Sequence, residues 1–138
     1  MSKLKLFFCM VAIVILFGAS HKSYAQNGPV MYFCSSYGSS GEIDISDRFT
    51  TGYLTVMVKC SYALGLSDCH IQFDKLNMNT GKFDYYKKFP YTVSPDMSYI
   101  YFEGEDLSFD KSGIYRVFLL DSKDRTVTSA LIEIIPKK

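Results

Sequence analysis

The feature that most constrains this fold is an alternation of apolar and polar side chains with a period of two residues. Such a period is that of a β-strand, whose successive side chains point to opposite faces, whereas a helix repeats every 3.6 residues. In residues 53–60 the alternation places Leu54, Val56, Val58 and Cys60 on one face. The other predicted strands are residues 30–34, 43–49, 69–74, 83–89, 98–102, 113–120 and 126–135.

Turn-forming residues separate these segments at short intervals. Gly, Ser, Asn and Asp cluster at residues 37–41, 64–68, 77–81 and 121–124. Connections this short favour antiparallel pairing, because a parallel crossover needs a dozen or more residues. We therefore predict an all-β domain, an antiparallel two-sheet sandwich of seven or eight strands without a helix.

The N-terminal 25 residues have the pattern of a secretory signal peptide. Two lysines precede an apolar run over residues 6–17, and Ser23 and Ala25 are the small residues expected before a cleavage site. A helix over this run would span roughly 18 Å, too short for a ~30 Å hydrocarbon core. We predict cleavage before Gln26, a single domain over residues 26–138, a periplasmic or secreted location, and no membrane span in the mature chain.

Composition argues against several classes of function. Removal of the signal leaves 12 basic and 14 acidic residues, a balance that excludes a strongly basic nucleic-acid binder. His70 is the one histidine that remains, which argues against most histidine-dependent catalysis and most zinc sites. The adjacent Cys69 points to the opposite face of its predicted strand and cannot form a dyad with it. We predict a domain that is not an enzyme and has no cofactor.

Three cysteines remain after cleavage, in a compartment that permits disulfides. Cys60 and Cys69 are the nearest pair, with eight residues between them, and we expect them to form a disulfide. Cys34 is then left over. It could be a buried thiol that packs as a small apolar side chain, half of an intermolecular disulfide, or a redox or nucleophilic group.

Two surfaces are candidates for contact with a partner. Ile114 and Phe118 lie on the second face of their predicted strand, and that face is apolar enough to need a cover. The cover could be loops, the N-terminal segment of the domain, a partner protein or a second copy of the chain. Tyr85, Tyr86 and Tyr91 lie on a strand rich in tyrosine and lysine, which could contact a ligand or be half-buried.

An acidic cluster precedes the predicted strand at residues 113–120. Glu103, Glu105, Asp106 and Asp110 carry oxygen ligands of the kind that calcium prefers. Their spacing lacks the alternating pattern of a dedicated calcium loop, which favours a solvated turn. We expect no metal site, and these four residues are the candidates if calcium does bind.

The sequence DKSGIYRV over residues 110–117 resembles the turn and following strand of immunoglobulin-like domains. In that family a tyrosine near the start of the sixth strand hydrogen-bonds back across the corner, two residues before a core position. The resemblance implies that Tyr115 takes the corner role and that Val117 takes the core position. It implies an immunoglobulin-like sandwich and carries no information on function, because this architecture hosts many activities.

These observations predict an exported, non-catalytic binding domain that contacts another protein of the envelope or the exterior. Contact would run through the face around Phe118 or through residues 85–91. Two alternatives remain open. One is a periplasmic inhibitor or immunity protein, which would bind an exported enzyme one-to-one. The other is a thiol-dependent activity at Cys34, which requires an accessible thiol of lowered pKa.

Overall fold

The structure, a computed structural model, describes residues 27–138, and the predicted signal peptide lies outside this range. All regular structure within it is β-strand. Within the same range, no helix has the length and apolar character that crossing a membrane requires. The strands are β1 (Val30–Cys34), β2 (Ser36–Gly38), β3 (Gly41–Ile43), β4 (Arg48–Thr50), β5 (Gly52–Tyr53), β6 (Thr55–Lys59), β7 (Asp68–Asn77), β8 (Lys82–Thr92), β9 (Tyr99–Phe102), β10 (Ser108–Phe109), β11 (Gly113–Leu120) and β12 (Thr126–Ile135).

The strands form two main sheets and two small pairs. A five-stranded sheet has the order β4-β12-β11-β7-β8, and a three-stranded sheet has the order β1-β6-β9. Pairing is antiparallel except between β4 and β12, and β5–β10 and β2–β3 form the small pairs. The buried cluster contains residues from both main sheets. Over residues 27–138 the chain is therefore an all-β sandwich of two main sheets, as predicted, with twelve strands in place of the predicted seven or eight and one parallel pairing.

The core follows the predicted alternation on its central strands. Ile71 and Phe73 of β7 are fully buried, as are Tyr115, Val117 and Leu119 of β11. Because side chains alternate across a strand, their neighbours in sequence lie on the outer face of the five-stranded sheet. The strand registers that bury these residues therefore also determine which side chains lie together on the outer face.

Two predicted strands are interrupted in the structure. Residues 43–49 do not form one strand, because β3 ends at Ile43 and β4 begins at Arg48. Asp44, between them, has a φ of 53°, a left-handed conformation that a regular strand does not contain. Residues 53–60 are divided between β5 and β6, and Cys60 lies beyond the end of β6, partly buried and outside the core.

Tyr115 makes a backward hydrogen bond at the start of β11. Its hydroxyl donates to the carbonyl oxygen of Lys111 at 2.7 Å, and its ring contacts Phe109 edge-on with centroids 4.8 Å apart. This is the contact that the resemblance to immunoglobulin-like domains implies for Tyr115. It holds the turn before β11 against the core.

A β-bulge in β8 sets the directions in which the side chains of Tyr86 and Lys87 point. Phe73 of β7 faces Lys87, whereas the next residue, Asp74, faces Tyr85, so Tyr86 is the extra residue. The Lys87 ammonium group lies 5.2 to 5.7 Å from the centroids of four aromatic rings. It also donates hydrogen bonds to the carbonyl oxygens of Asp106, at 3.2 Å, and Ser108. The bulge thus attaches the loop after β9 to the five-stranded sheet. The four rings are those of Phe73, Tyr86, Phe89 and Phe109.

Candidate functional site

Four tyrosines meet on the outer face of the three-stranded sheet. Tyr32 of β1 and Tyr99 and Tyr101 of β9 point outward, because the residues that alternate with them are buried in the core. The β2–β3 hairpin supplies Tyr37 from β2 and Glu42 from β3. We call Tyr32, Tyr37, Tyr99 and Tyr101 the tyrosine surface.

Glu42 connects two members of the tyrosine surface. Its Oε1 atom accepts hydrogen bonds from the hydroxyl groups of both Tyr32 and Tyr99. These hydrogen bonds lower the pKa of Glu42 to about 2, and the one from Tyr32 has the largest effect. The same contact raises the pKa of Tyr99, and burial together with the Glu42 contact raises that of Tyr32. The carboxylate is therefore charged and both tyrosines are protonated at neutral pH, which keeps the hydrogen bonds intact.

The other contacts of the tyrosine surface are between rings. Tyr37 stacks on Tyr101 with centroids 4.5 Å apart and an interplanar angle of 18°. Tyr37 also meets Tyr99 edge-on at 6.0 Å, and the Lys59 ammonium group lies 5.4 Å from the centroid of the Tyr99 ring. Tyr99 is nevertheless 37% exposed and Tyr101 is 47% exposed. The rings are thus held in fixed orientations and remain accessible to a partner.

The outer face of the five-stranded sheet mixes apolar and charged side chains. Ile114 and Leu131 are exposed, whereas Phe118 is half-buried. Ile114 lies opposite Glu133, and Leu131 lies opposite Arg116. The N-terminal segment does not provide a cover, because β1 belongs to the other sheet. A partner interface around Phe118 remains a prediction, on a face where charges separate the apolar groups.

The three tyrosines predicted on β8 do not form one surface. Tyr85 is 65% exposed. The Tyr86 hydroxyl donates to Oδ1 of Asp110 at 2.7 Å, a contact that, with burial, raises the pKa of Tyr86 to about 12. Tyr91 contacts the ring of Phe102 edge-on, with centroids 5.2 Å apart. Tyr86 and Tyr91 therefore pack against the sandwich, and Tyr85 alone of the three is exposed.

The acidic candidates are not assembled into a metal site. In the part of the chain that the structure describes, no three His, Cys, Asp or Glu side chains lie together as a metal ion would require. Asp110 accepts the hydrogen bond from Tyr86, which lowers the pKa of Asp110. Glu103 and Glu105 line a separate surface cleft with Ser35 and other residues. The four acids thus do not act as one ligand set.

The predicted disulfide between Cys60 and Cys69 is not formed, and all three described cysteines are free thiols. Cys69 lies on β7 of the five-stranded sheet, fully enclosed, and its Sγ atom donates to the carbonyl oxygen of Tyr91 at 3.6 Å. Burial raises the pKa of Cys69 to about 11. Cys60 follows β6 in the other sheet. Proximity in sequence failed as a guide because the two residues belong to opposite layers of the sandwich.

Cys34 is a buried thiol at the end of β1. It has no exposed surface, and burial raises its pKa. The backbone groups of Ser36 and Ile43, in the β2–β3 hairpin, contact it. A nucleophilic thiol needs access and a lowered pKa, and Cys34 has neither. The structure therefore supports the interpretation of Cys34 as a small packed side chain.

Alkylation should distinguish Cys34 from Cys60. We expect iodoacetamide at neutral pH to leave Cys34 unmodified in the native protein and to modify it after denaturation, because the thiolate is both enclosed and disfavoured. Peptide mass mapping would measure the modification at each cysteine. Cys60, which is partly exposed, is the internal control. Native labelling of Cys34 as fast as that of Cys60 would contradict the burial described above.

Sequence reasoning did not find the tyrosine surface. A signal was present in the chain, because Tyr99 and Tyr101 are two residues apart in a predicted strand and must share a face. The contribution of Tyr37 and Glu42 could not be anticipated, since it depends on the β2–β3 hairpin lying over that face.

Comparisons with known proteins show a similarity to solved structures. No protein-family model and no curated protein matches this chain. The chain is similar to the crystal structure of an immunoglobulin-like protein from Pseudomonas aeruginosa, at 11% sequence identity and a TM-score of 0.47. The similarity covers 80% of this chain and 99% of that chain.

Proposed function

We propose that the mature chain is an exported, non-catalytic domain that binds another protein of the envelope or the exterior through its tyrosine surface. The observation that carries this proposal is the combination of fixed orientation and exposure in Tyr99 and Tyr101. Export rests on the signal-like sequence before Gln26.

A tyrosine surface of this kind suits protein binding for two reasons. Tyrosine is enriched in the cores of protein interfaces and among the residues that dominate binding energy. Binding also costs less entropy when side chains are already ordered. Here Glu42 and ring stacking order Tyr99 and Tyr101 before any partner arrives.

The environments of Cys34 and His70 favour binding over catalysis. Cys34 is enclosed, as described above. His70 has its Nδ1 atom buried without a hydrogen bond, and that atom lies 4.0 Å from Oδ1 of Asp124, beyond hydrogen-bond distance. In a catalytic pair, nucleophile, base and orienting group come within hydrogen-bond reach of one another.

Site-specific photo-crosslinking would test the contact surface. Benzoyl-phenylalanine would be placed at position 101, and at positions 114 and 78 as controls, in protein expressed in the native host. Ile114 represents the outer face of the five-stranded sheet, and Met78 is an 81% exposed residue in the β7–β8 turn. We expect a discrete protein adduct from position 101 alone.

The other outcomes of this experiment are equally informative. Adducts from position 114 instead of 101 would transfer the contact to the face around Phe118. An absence of protein adducts at both positions would contradict the proposal. If the adduct contains one exported enzyme, and the purified domain suppresses its activity at one-to-one stoichiometry, the domain is an inhibitor.

A further inference from the structure

The β9 strand (Tyr99–Phe102) lies at the edge of the three-stranded sheet. Its hydrogen-bonded neighbour is β6, in an antiparallel register without a bulge. Among the strands that the structure describes, none pairs with its opposite side. An edge of this kind can accept an extended segment from another chain.

The backbone groups of Tyr99 and Tyr101 point toward this open side. The Cys60 amide donates to the carbonyl oxygen of Ser98 at 2.7 Å, in line with the β6–β9 register. In an antiparallel pair, successive residues direct their N–H and C=O groups alternately toward and away from the partner strand. Those of Tyr99 and Tyr101 therefore point away from β6, and no backbone partner for them occurs in the described range.

The other sheet edges carry features that discourage strand addition. β8 contains a bulge, a proline at position 90 and several lysines. β4 has three residues, beginning with Arg48. Beside β1, the Thr128 hydroxyl of β12 donates to the carbonyl oxygen of Pro29 at 3.0 Å. β9, with the sequence YIYF, has no charge, proline or bulge.

A cleft of about 420 Å³ lies beside β9. Ile100, Tyr101 and Phe102 form one wall of this cleft. The end of β8 and the loop that follows form the other, with Val93 and Met97 among its apolar residues. The cleft provides space for side chains next to the unpaired backbone groups.

We infer that an extended segment of the partner protein binds by adding to β9 as a further β-strand. This inference rests on the binding function proposed above and specifies how the partner is recognised. The backbone of the added segment exchanges hydrogen bonds with Tyr99 and Tyr101. Its side chains alternate between the cleft, against Val93 and Met97, and the tyrosine surface. The segment therefore carries apolar residues at every second position.

Selection from a displayed library of random linear peptides would test this inference. The wild-type domain is the bait, and the Tyr101→Pro variant, which lacks the amide hydrogen at the edge, is the counter-selection target. We expect enriched peptides with apolar residues at alternate positions. Amide exchange measured by NMR should slow by at least roughly tenfold at residues 99 and 101 when such a peptide is bound.

A second variant keeps the test decisive if Tyr101→Pro does not fold. Val93→Lys places a charge in the cleft while retaining its backbone hydrogen bond to Ser67. It should weaken peptide binding at least tenfold, whereas Leu131→Lys, on the other sheet, should not. Circular dichroism would verify that each variant is folded.

Two results would overturn strand addition. One is a library without enriched peptides, and the other is a set of peptides that bind the folded edge variants as tightly as the wild type. A protein adduct from position 101 combined with either result would retain the binding function and remove the strand-addition mechanism. Without an adduct from position 101, the proposed contact through the tyrosine surface fails as well.

Discussion

Replacement of Phe109 by alanine is expected to lower the free energy of unfolding by about 3–5 kcal/mol. The ring is almost completely buried, and its centroid lies 4.9 Å from that of Phe73 and 4.8 Å from that of Tyr115. Truncation would leave a cavity beside Phe73 and Tyr115 and remove a ring that faces the Lys87 ammonium group. Urea unfolding of the mature domain would measure the change.

Tyr115→Phe is the matched control for this prediction. It retains the ring and removes the hydrogen bond to the Lys111 carbonyl oxygen, so the expected loss is about 0.5–1.5 kcal/mol. If Phe109→Ala cost no more than Tyr115→Phe, Phe109 would not be an essential part of the core.

The double variant Tyr99→Thr and Tyr101→Thr is expected to weaken partner binding by at least roughly 100-fold. Each substitution removes an aromatic ring of the kind that acts as a binding hot spot. Threonine is chosen because it retains a preference for strands. The measurement would be surface plasmon resonance with the protein identified by photo-crosslinking. Circular dichroism would establish that the variant retains its sheets.

The double variant Ile114→Thr and Leu131→Thr is the control for binding. It removes exposed apolar side chains from the outer face of the five-stranded sheet, and we expect unchanged affinity. The opposite pattern, with affinity lost in the control and retained in the tyrosine variant, would place the interface on the five-stranded sheet.

Much of the fold could be predicted because local sequence specifies it. The alternation in residues 53–60 placed Leu54, Val56 and Val58 on one face, and all three are buried in the core. The short turns predicted antiparallel pairing of the strands that they connect. The interruption at Asp44 was missed because a single residue in the left-handed conformation leaves no mark on the alternation.

The site was less predictable than the fold. Alternation from the exposed Tyr85 places Tyr86 on the opposite face, but the β-bulge in β8 also places Lys87 against the buried Phe73, which the local pattern did not predict. Cys60 and Cys69 are close in sequence, but Cys60 follows β6 of one sheet and Cys69 lies on β7 of the other. Each difference arises from pairing between distant segments, which the local pattern does not specify.

The sequence by itself determined that the chain is a β-sandwich, because a period of two makes one face of every strand apolar and each such face must be buried against another. It also determined that Tyr99 and Tyr101 share a face. Only the tertiary structure decided that Tyr32, Tyr37 and Glu42 join them, and that one edge of β9 is open. Strand order and register are set by contacts between residues far apart in the chain, and these contacts bring the tyrosine surface together.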